Sequence, residues 1–292
     1  MTPSHCISVI ILTYNEEANL PACLESLKGL DCEIFVVDSG SADQTVEIAR
    51  GAGAQVVYHK FDTQAQQLNW ALESLPLRGE WVLRLDADER LTPELAIELP
   101  AVLPTLGLDV TGLYVKRRGY FLGRWIRHGG YYPTWLLRVW RRGKALSEGR
   151  YLNEHMILLE GEAAQLKHDI VDWNQKGLSF WVEKHNHFAT RYARELLAIQ
   201  DGSIKNLASI EATPFGSQEQ RKRWLKEHVY AIFPLFFRSS LYFLYRYFFR
   251  MGFLDGKEGL VFHFLQGFWF HFLVDAKLYE LSKNNQNNTI KI

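Results

Sequence analysis

The sequence predicts an α/β fold in which a mostly parallel sheet is flanked by helices. Three observations support it: short apolar runs alternate with helical repeats, helix start signals follow the runs, and polar or acidic turns end three of them. The 292 residues, 47% of them hydrophobic, suffice for a sizeable core. Sheets built from such βαβ units bind ligands beyond the carboxyl ends of their strands.

The first strand and helix follow from the pattern near the amino terminus. Residues 7–12 (ISVIIL) form an apolar, β-branched run typical of a strand buried on both faces. Leu20, Cys23, Leu24 and Leu27 then recur at the spacing of a helix.

A second βα unit comes next. Residues 33–37 (EIFVV) predict a strand, and Ser41 and Gln44 form a capping-box pair that opens a helix. The glycines of the segment Gly51–Gly53 close this helix, and residues 54–59 predict the third strand.

Helix signals are clearest in the third unit. Thr63 and Gln66 form another capping box, and residues 80–85 predict the fourth strand. Thr92–Pro93 then begins a helix with an N-cap and an N1 proline. Residues 136–142 predict a further strand, which is rich in arginine.

Polar side chains follow three of these strands. They are Thr13, Tyr14, Asn15 and Glu16 after the first strand, Asp38, Ser39, Ser41, Asp43 and Thr45 after the second, and Asp86 and Asp88 after the fourth. Each turn alone is typical of a solvated loop or a helix cap. Together they predict one acid-rich crevice, which would accept a diphosphate only if a divalent cation bridged it to the carboxylates.

Other nucleotide-binding signatures are excluded. The segment Gly51–Val56 lacks the third glycine of the dinucleotide fingerprint and ends a helix. The segment Gly252–Lys257 is one residue too short for a P-loop, and Glu258 stands where Ser or Thr is needed. Basic and acidic residues number 33 each, so the net charge gives no indication of nucleic-acid binding.

Three segments, SVIILTYNEEANLPACLESL, VVDSGSADQT and WVLRLDADE, together resemble the family 2 glycosyltransferases, whose catalytic domain has the GT-A fold. The resemblance covers most of residues 5–210. It implies that the base and ribose of a nucleotide are held by Thr13, Tyr14, Glu16, Asp38 and Ser41. It also implies that Asp86 and Asp88 bind the diphosphate and a divalent metal, Mg²⁺ or Mn²⁺. The implied activity is transfer of a sugar from a nucleotide-diphosphate donor, UDP being the commonest nucleotide, with inversion at the anomeric carbon.

An acceptor hydroxyl needs a general base, and Glu154 is the candidate because relatives commonly carry a Glu at about this place. An ion pair with a nearby arginine is the structural alternative for Glu154, and Glu148 is a rival base. The third metal ligand stays open between His168 and Asp172. The usual His position holds Asp172, with His168 four residues earlier.

The stretch between Asp109 and Glu148 holds nine Lys or Arg residues and no acid. It is either a solvated face with arginines on the outer side of one strand, or a surface for an anionic acceptor. Such an acceptor would be a phosphorylated saccharide, a lipid diphosphate or the membrane surface. The absence of acids favours the second interpretation.

Aromatic residues dominate the C-terminal region. Residues 181–199 have helical spacing and are expected to close over the site. The apolar blocks 229–249 and 259–274 are interrupted and fall short of the ~20 apolar residues that a spanning helix needs. They suit helices lying in the membrane interface, and a buried helical subdomain is the alternative. Basic residues within 221–226 favour an anionic membrane.

We therefore predict a GT-A catalytic domain at residues 1–210, a helical membrane-associating region at 211–282 and a disordered tail at 283–292. The tail segments GFLDGKEGLVFHFLQGFW and DAKLYE resemble those of bacterial enzymes of lipopolysaccharide-core or exopolysaccharide synthesis. This resemblance implies a lipid-linked saccharide acceptor and a peripheral or monotopic protein at the cytoplasmic face of the inner membrane. Three cysteines without a Cys-x-x-Cys pair and an N-terminus without signal-peptide features agree with that compartment.

Two alternatives remain for the activity. One is transfer of the sugar to a polyprenyl phosphate, which is already nucleophilic and needs no strong base. The other is a non-catalytic nucleotide- or glycan-binding protein on the same scaffold.

Overall fold

A computed structural model describes residues 7–148, 155–200, 213–216, 218–228 and 232–289. These residues divide into two compact units. The first takes in residues 7–125, 132–148 and 155–176, and the second takes in 126–131 and the described residues from 177 onward. The sequence predicts a boundary at residue 210. That position lies outside the described residues, and the helix Gly177–Gln200 belongs to the second unit, in which it packs against the C-terminal helix.

The first unit is built on one large mixed sheet. Among the described residues its strands are β1 Ile7–Thr13, β2 Cys32–Asp38, β3 Gln55–Tyr58, β4 Trp81–Asp86, β5 Glu89–Leu91, β6 Val110–Phe121, β7 Arg124–Trp125, β8 Thr134–Arg141 and β11 Glu162–Asp172. The order is β3-β2-β1-β4-β8-β6-β11-β5, with β7 paired to β6. A separate antiparallel ribbon joins β9 Ala145–Ser147 to β10 Met156–Leu158.

The sheet is parallel from β3 to β4, as the alternation of strands and helices predicts. Strand β8 is antiparallel to both β4 and β6, and β11 is again parallel to β6. The predicted α/β class is therefore confirmed, and the antiparallel insertion of β8 is the feature that the sequence rhythm did not reveal.

Helices occur in both units. The first unit has α1 Leu20–Glu25, α2 Thr45–Gly51, α3 Gln64–Ser74 and α4 Pro93–Val102. The second has α5 Gly177–Gln200, α6 Gln218–His228, α7 Phe237–Leu244, α8 Gly256–Phe262 and α9 Phe270–Thr289. A π-helical turn, Tyr245–Phe249, follows α7, and another, His263–Trp269, joins α8 to α9. Within the described residues, no helix has the length and apolar character needed to cross a membrane.

The core of the first unit lies on both faces of the sheet. Successive residues of β1 serve opposite faces, so Val9 and Ile11 belong to one apolar cluster and Ile10 to the other. Helices α1 and α4 contribute leucines to the first cluster, and α3 contributes Leu68 to the second. This double burial explains why the strands read as continuous apolar runs.

Two of the three predicted helix caps are confirmed. Thr63 Oγ1 accepts a hydrogen bond from Gln66 N at 3.1 Å, and Thr92 Oγ1 accepts one from Leu95 N at 3.2 Å. The prediction of a capping box at Ser41 is wrong, because the Ser41 hydroxyl donates a hydrogen bond to the Asp38 carboxylate.

The first turn of α2 is capped by Asp43 instead. Its Oδ1 accepts a hydrogen bond from Thr45 N at 3.0 Å. At the other end of the chain, α9 runs to Thr289 through much of the segment predicted to be disordered. The tail continues an existing helix and needs no new helix nucleus, and a prediction from composition does not take this into account.

Candidate active site

Strand register brings the three polar strand ends together. Thr13 at the end of β1 lies opposite Asp38 of β2, and Leu12 lies opposite Asp86 of β4. The convergence expected from a parallel sheet is therefore present, with β1 in the middle.

Asp38 is the centre of a hydrogen-bond network. Its Oδ1 accepts from Thr13 Oγ1 at 3.0 Å and from Ser41 Oγ at 2.5 Å. Its Oδ2 accepts from the backbone amides of Gly40 and Ser41, both at 2.8 Å. A carboxylate has about four lone-pair sites. A nucleotide group therefore reaches Asp38 only by displacing one of these donors.

The loops after β1 and β2 are joined to each other by side chains. Asn15 N donates to Ser41 Oγ at 2.8 Å, and Asn15 Oδ1 accepts from Ala42 N at 2.8 Å. Glu16 N donates to Thr45 Oγ1 at 2.7 Å. Asn15 has a φ of 54°, a left-handed conformation that this side chain tolerates better than most. The two loops therefore form a single polar wall.

Tyr14 and Glu16 differ in environment although they are near neighbours. The Tyr14 ring is exposed, which suits stacking on a planar ligand. Glu16 accepts hydrogen bonds from Lys176 Nζ at 2.6 Å and Asn19 Nδ2 at 2.7 Å. Burial raises the pKa of Glu16, and the bonds from Lys176 and Asn19 oppose that rise without cancelling it.

Asp86 is held by two buried arginines. Arg84 Nη2 and Gln64 Nε2 each donate to Asp86 Oδ1 at 3.2 Å, and Arg138 Nη2 donates to Asp86 Oδ2 at 3.1 Å. Burial alone would raise the pKa of Asp86, but Arg138 and Arg84 outweigh it and hold that pKa well below its usual range. Asp86 is therefore a carboxylate at neutral pH.

Glu89 lies directly after the turn that follows β4. The turn consists of Ala87 and Asp88, and Glu89 begins β5 because that strand pairs with β11. The side chain is 1% exposed, accepts from Asp86 N at 3.0 Å and bonds Arg138 Nη2 at 2.5 Å. Burial raises the pKa of Glu89 to about 7, although Arg138 acts in the opposite direction.

Asp88 faces the segment that follows β11. Asn174 Nδ2 donates to Asp88 Oδ2 at 3.0 Å, and Trp173 N donates to the Asp88 carbonyl at 2.9 Å. The same segment bonds Glu16 through Lys176. Residues 173–176 thus connect the turn after β4 to the loop after β1.

Asp86 and Asp88 fit a hard divalent cation as far as their own oxygens are concerned. Among the described residues, Asp86 accepts three side-chain hydrogen bonds and Asp88 accepts one. Lone pairs therefore remain on both carboxylates, and carboxylate oxygen is the ligand type that Mg²⁺ and Mn²⁺ prefer.

The two candidates for a third ligand have other partners. His168 Nδ1 lies 2.9 Å from Glu98 Oε2 on α4, and Asp172 Oδ2 lies 3.2 Å from Arg117 Nη1. Across the described ranges, no group of three or more His, Cys, Asp or Glu side chains is arranged to hold a metal ion. A cation here would draw its remaining ligands from a substrate and water.

The basic stretch between Asp109 and Glu148 is paired with acids from other strands. Ion pairs join Lys116 and Arg118 to Asp169, Arg117 to Asp172, Arg138 to Glu89, Arg141 to Glu80, and Lys144 to Glu160. These acids lie outside the stretch in sequence, which is why its composition exaggerated its positive charge. The argument for an anionic acceptor at this surface is weakened accordingly.

Glu154 lies outside the described residues. The rival base Glu148 is buried just after β9, and its backbone amide donates to the His155 carbonyl at 2.9 Å. Asn69 fixes the neighbouring Ser147 by two hydrogen bonds of 2.8 and 2.9 Å.

Sequence reasoning missed most of the groups that hold the acids. They are Gln64, Arg84, Asn174 and Lys176, together with Arg138, which was noted only as part of the basic stretch. A signal existed for Arg84, because a charge inside the apolar run WVLRLD must find a buried acid. No local pattern pointed to Asn174 or Lys176, because they reach the site through long-range strand pairing.

The chain is similar to known glycosyltransferases over most of its length. The profile of Glycosyl transferase family 2 matches residues 8–171. An uncharacterized glycosyltransferase of Rickettsia typhi is 30% identical over 284 residues, covering 96% of this chain and 89% of that protein. The lipopolysaccharide core biosynthesis glycosyltransferase LpsC of Rhizobium meliloti is 29% identical over 296 residues, covering 96% of this chain and 94% of that protein.

A third relative matches a shorter part of the chain. It is the undecaprenyl-phosphate 4-deoxy-4-formamido-L-arabinose transferase of Pseudomonas fluorescens, which is 32% identical over 124 residues. The match covers 38% of this chain and 35% of that protein.

Proposed function

Because the chain belongs to glycosyltransferase family 2, we propose that it moves a sugar from a nucleotide-diphosphate donor, UDP-linked in our proposal, to a hydroxyl of a lipid-linked saccharide. The observation that carries this proposal is that the hydrogen-bond network of Thr13, Asp38 and Ser41 lies at the same edge of the sheet as Asp86 and Asp88. The anomeric carbon is inverted in the single displacement that we propose.

The wall formed by the loops after β1 and β2 is the proposed site for base and ribose. Tyr14 offers an exposed ring for stacking, and Glu16 offers a carboxyl group. Asp38 would bind the ribose by exchanging one of its present partners, of which the Ser41 hydroxyl is one. Side-chain bonds between the two loops fix these groups before the donor arrives, which lowers the ordering cost of binding.

The diphosphate is proposed to lie beside Asp86 and Asp88. A divalent cation bound by these two carboxylates would neutralise the negative charge that develops on the leaving diphosphate. Arg84 and Arg138 keep Asp86 ionised and fixed in position. Asn174 orients Asp88 in the same way.

Glu154 is the proposed general base. It would take the proton of the acceptor hydroxyl while that oxygen bonds to the anomeric carbon and the bond from carbon to the diphosphate oxygen breaks. The similarity to LpsC over nearly the whole chain supports an acceptor in lipopolysaccharide synthesis, with exopolysaccharide synthesis as the related possibility. We accordingly propose a peripheral protein at the cytoplasmic face of the inner membrane.

Donor binding tests this proposal directly. With UDP-sugar and Mn²⁺ or Mg²⁺ at about 100 times the Kd, the melting temperature should rise by roughly 5–10 °C. Asp88→Asn should abolish that rise while its melting temperature without ligand stays within about 2 °C of the original protein. A panel of UDP, GDP and TDP sugars identifies the nucleotide.

The matched control is Asp109→Asn, an exposed acid of the same unit far from the site in sequence. It should keep the full shift. An equal shift in Asp88→Asn, or no shift with any nucleotide sugar, contradicts the proposal. A normal shift without transfer to any acceptor would instead indicate a non-catalytic binding protein.

Transfer to a polyprenyl phosphate is the second candidate function, and the partial match to the undecaprenyl-phosphate sugar transferase favours it. The two candidates differ in their need for a base. With a sugar hydroxyl as acceptor, Glu154→Gln should lower kcat by roughly 10²–10⁴-fold and leave the donor-induced thermal shift intact. An unchanged rate with polyprenyl phosphate would establish the alternative.

A further inference from the structure

The second unit distributes its residues in an unusual way. Apolar side chains are exposed along much of residues 232–279, and Phe249 is 79% exposed. Charged side chains are buried in the same segment, with Arg246 6% and Asp255 2% exposed. A water-soluble unit normally shows the opposite arrangement, with charges outside and large apolar groups inside.

The buried charges are satisfied by partners within the unit. Arg246 Nε donates to the Gly129 carbonyl at 2.9 Å, and its guanidinium lies 5.5 to 5.8 Å from the ring centres of Tyr131, Tyr242 and Phe262. This hydrogen bond and these cation–π contacts fix the π-helical turn Tyr245–Phe249, to which Arg246 belongs.

Asp255 fixes the next turn in the same way. It accepts hydrogen bonds from Arg127 N at 3.1 Å and His128 N at 2.8 Å, and His128 Nδ1 lies 2.7 Å from its Oδ1. On its other side, the buried His263 ring lies 3.9 Å from Asp255 Oδ2. Asp255 is therefore contacted from both sides by groups of its own unit.

Between these two anchors lies a run of exposed apolar side chains, which we call the apolar tip: Phe248, Phe249, Met251, Phe253 and Leu254. Arg246 before the tip and Asp255 after it are held by buried hydrogen bonds, so the chain between them is anchored at both ends with these side chains exposed. Transfer of five such side chains from water into an apolar environment is strongly favourable. An exposed patch of this kind therefore indicates contact with an apolar environment outside the unit.

Charge indicates which environment this is. Residues 231–254 contain three arginines and no acid. Arg250, which lies within the tip segment, and Lys257, which follows it, are exposed. Exposed aromatics bordered by basic residues fit the boundary between the acyl chains and anionic headgroups of a bilayer.

We propose that the apolar tip inserts into the interface of an anionic bilayer, with Arg250 and Lys257 among the headgroups. This deepens the membrane location that accompanies the proposed function, although its support is the packing of the second unit alone. It assigns membrane contact to named residues rather than to the C-terminal region as a whole.

Vesicle co-sedimentation of the full-length protein tests the proposal. The original protein should bind vesicles of phosphatidylcholine with about 30% phosphatidylglycerol and bind pure phosphatidylcholine more weakly. Phe248→Ser/Phe249→Ser should lower the partition coefficient at least roughly tenfold on both vesicle types. Arg250→Gln/Lys257→Gln should lower binding only to the anionic vesicles and reduce its salt dependence.

The control is Ile97→Ser/Leu108→Ser, which removes two apolar side chains of the first unit that are 73% and 86% exposed. It should bind vesicles as the original protein does. Circular dichroism confirms that each variant is folded.

Three results would overturn the inference. They are no binding of the original protein to either vesicle, equal binding of the tip variant, and dimerisation without lipid that the tip variant abolishes. The donor-induced thermal shift, measured on the same samples, keeps this question separate. A protein that shifts with donor but ignores vesicles contradicts only the inference, and the reverse contradicts only the proposed function.

Discussion

Arg138 is the residue on which the acidic edge of the sheet depends. It is almost fully buried, and its Nη2 reaches both Asp86 and Glu89. Arg84 supports Asp86 from the other oxygen. The buried carboxyl of Glu89 and the half-buried carboxylate of Asp86 lie close together and are tolerated because these cations accompany them, since an unpaired buried charge is severely destabilising.

Arg138→Met should therefore lower the free energy of unfolding by about 3–5 kcal/mol, because it leaves Glu89 buried without its cation. Urea unfolding at neutral pH measures this loss. Arg50→Met, at an exposed position at the end of α2, is the matched control and should change the free energy by less than about 0.5 kcal/mol. Equal losses in the two variants would contradict the role given to Arg138.

The helix α5 carries a histidine that is kept neutral by its surroundings. The His185 ring stacks on Trp181 with centroids 3.5 Å apart, and its Nδ1 lies 2.8 Å from the Trp181 carbonyl. Burial lowers the pKa of His185 to about 4 from its ordinary 6.5, more than the bond to Trp181 raises it. Between those two pH values the unfolded chain binds a proton that the folded chain does not.

The stability of α5 should consequently fall as the pH is lowered from 6.5 towards 4, and no further loss from this group is expected below that range. Moving from pH 7 to pH 5 should cost about 1–2 kcal/mol at this site. His185→Phe keeps a ring on Trp181 and should remove that part of the pH dependence, measured by urea unfolding at both pH values. The exposed His187, two residues along, provides the control: His187→Phe should leave the pH dependence unchanged.

Elements also show how far sequence can predict this fold. Strands β1, β2 and β4 were predictable within one or two residues, because strands that are buried on both faces consist of continuous apolar runs. Strand β5 was not, because its three residues are defined by pairing with β11 some eighty positions later. The acids at the site were therefore foreseeable, and the arginines and amides that position them were not.

At the scale of the whole molecule, the proposed donor site and the proposed membrane contact fall in different units. Every described residue of the proposed donor site lies in the first unit, and the apolar tip lies in the second. Hydrogen exchange should show this division. Donor with Mn²⁺ should slow exchange at the polar strand ends after β1, β2 and β4, whereas anionic vesicles should slow it within residues 244–257. Protection of both regions by either ligand alone would mean that the sites are coupled.

The bonds between the loops after β1 and β2 have a consequence for protein engineering. Asn15 adopts its left-handed conformation while hydrogen-bonded to Ser41 and Ala42, so the conformation of one loop depends on the sequence of the other. Transplanting either loop alone from a relative with a different nucleotide preference would leave amides and hydroxyls without partners. Such a graft should exchange both loops as one cassette.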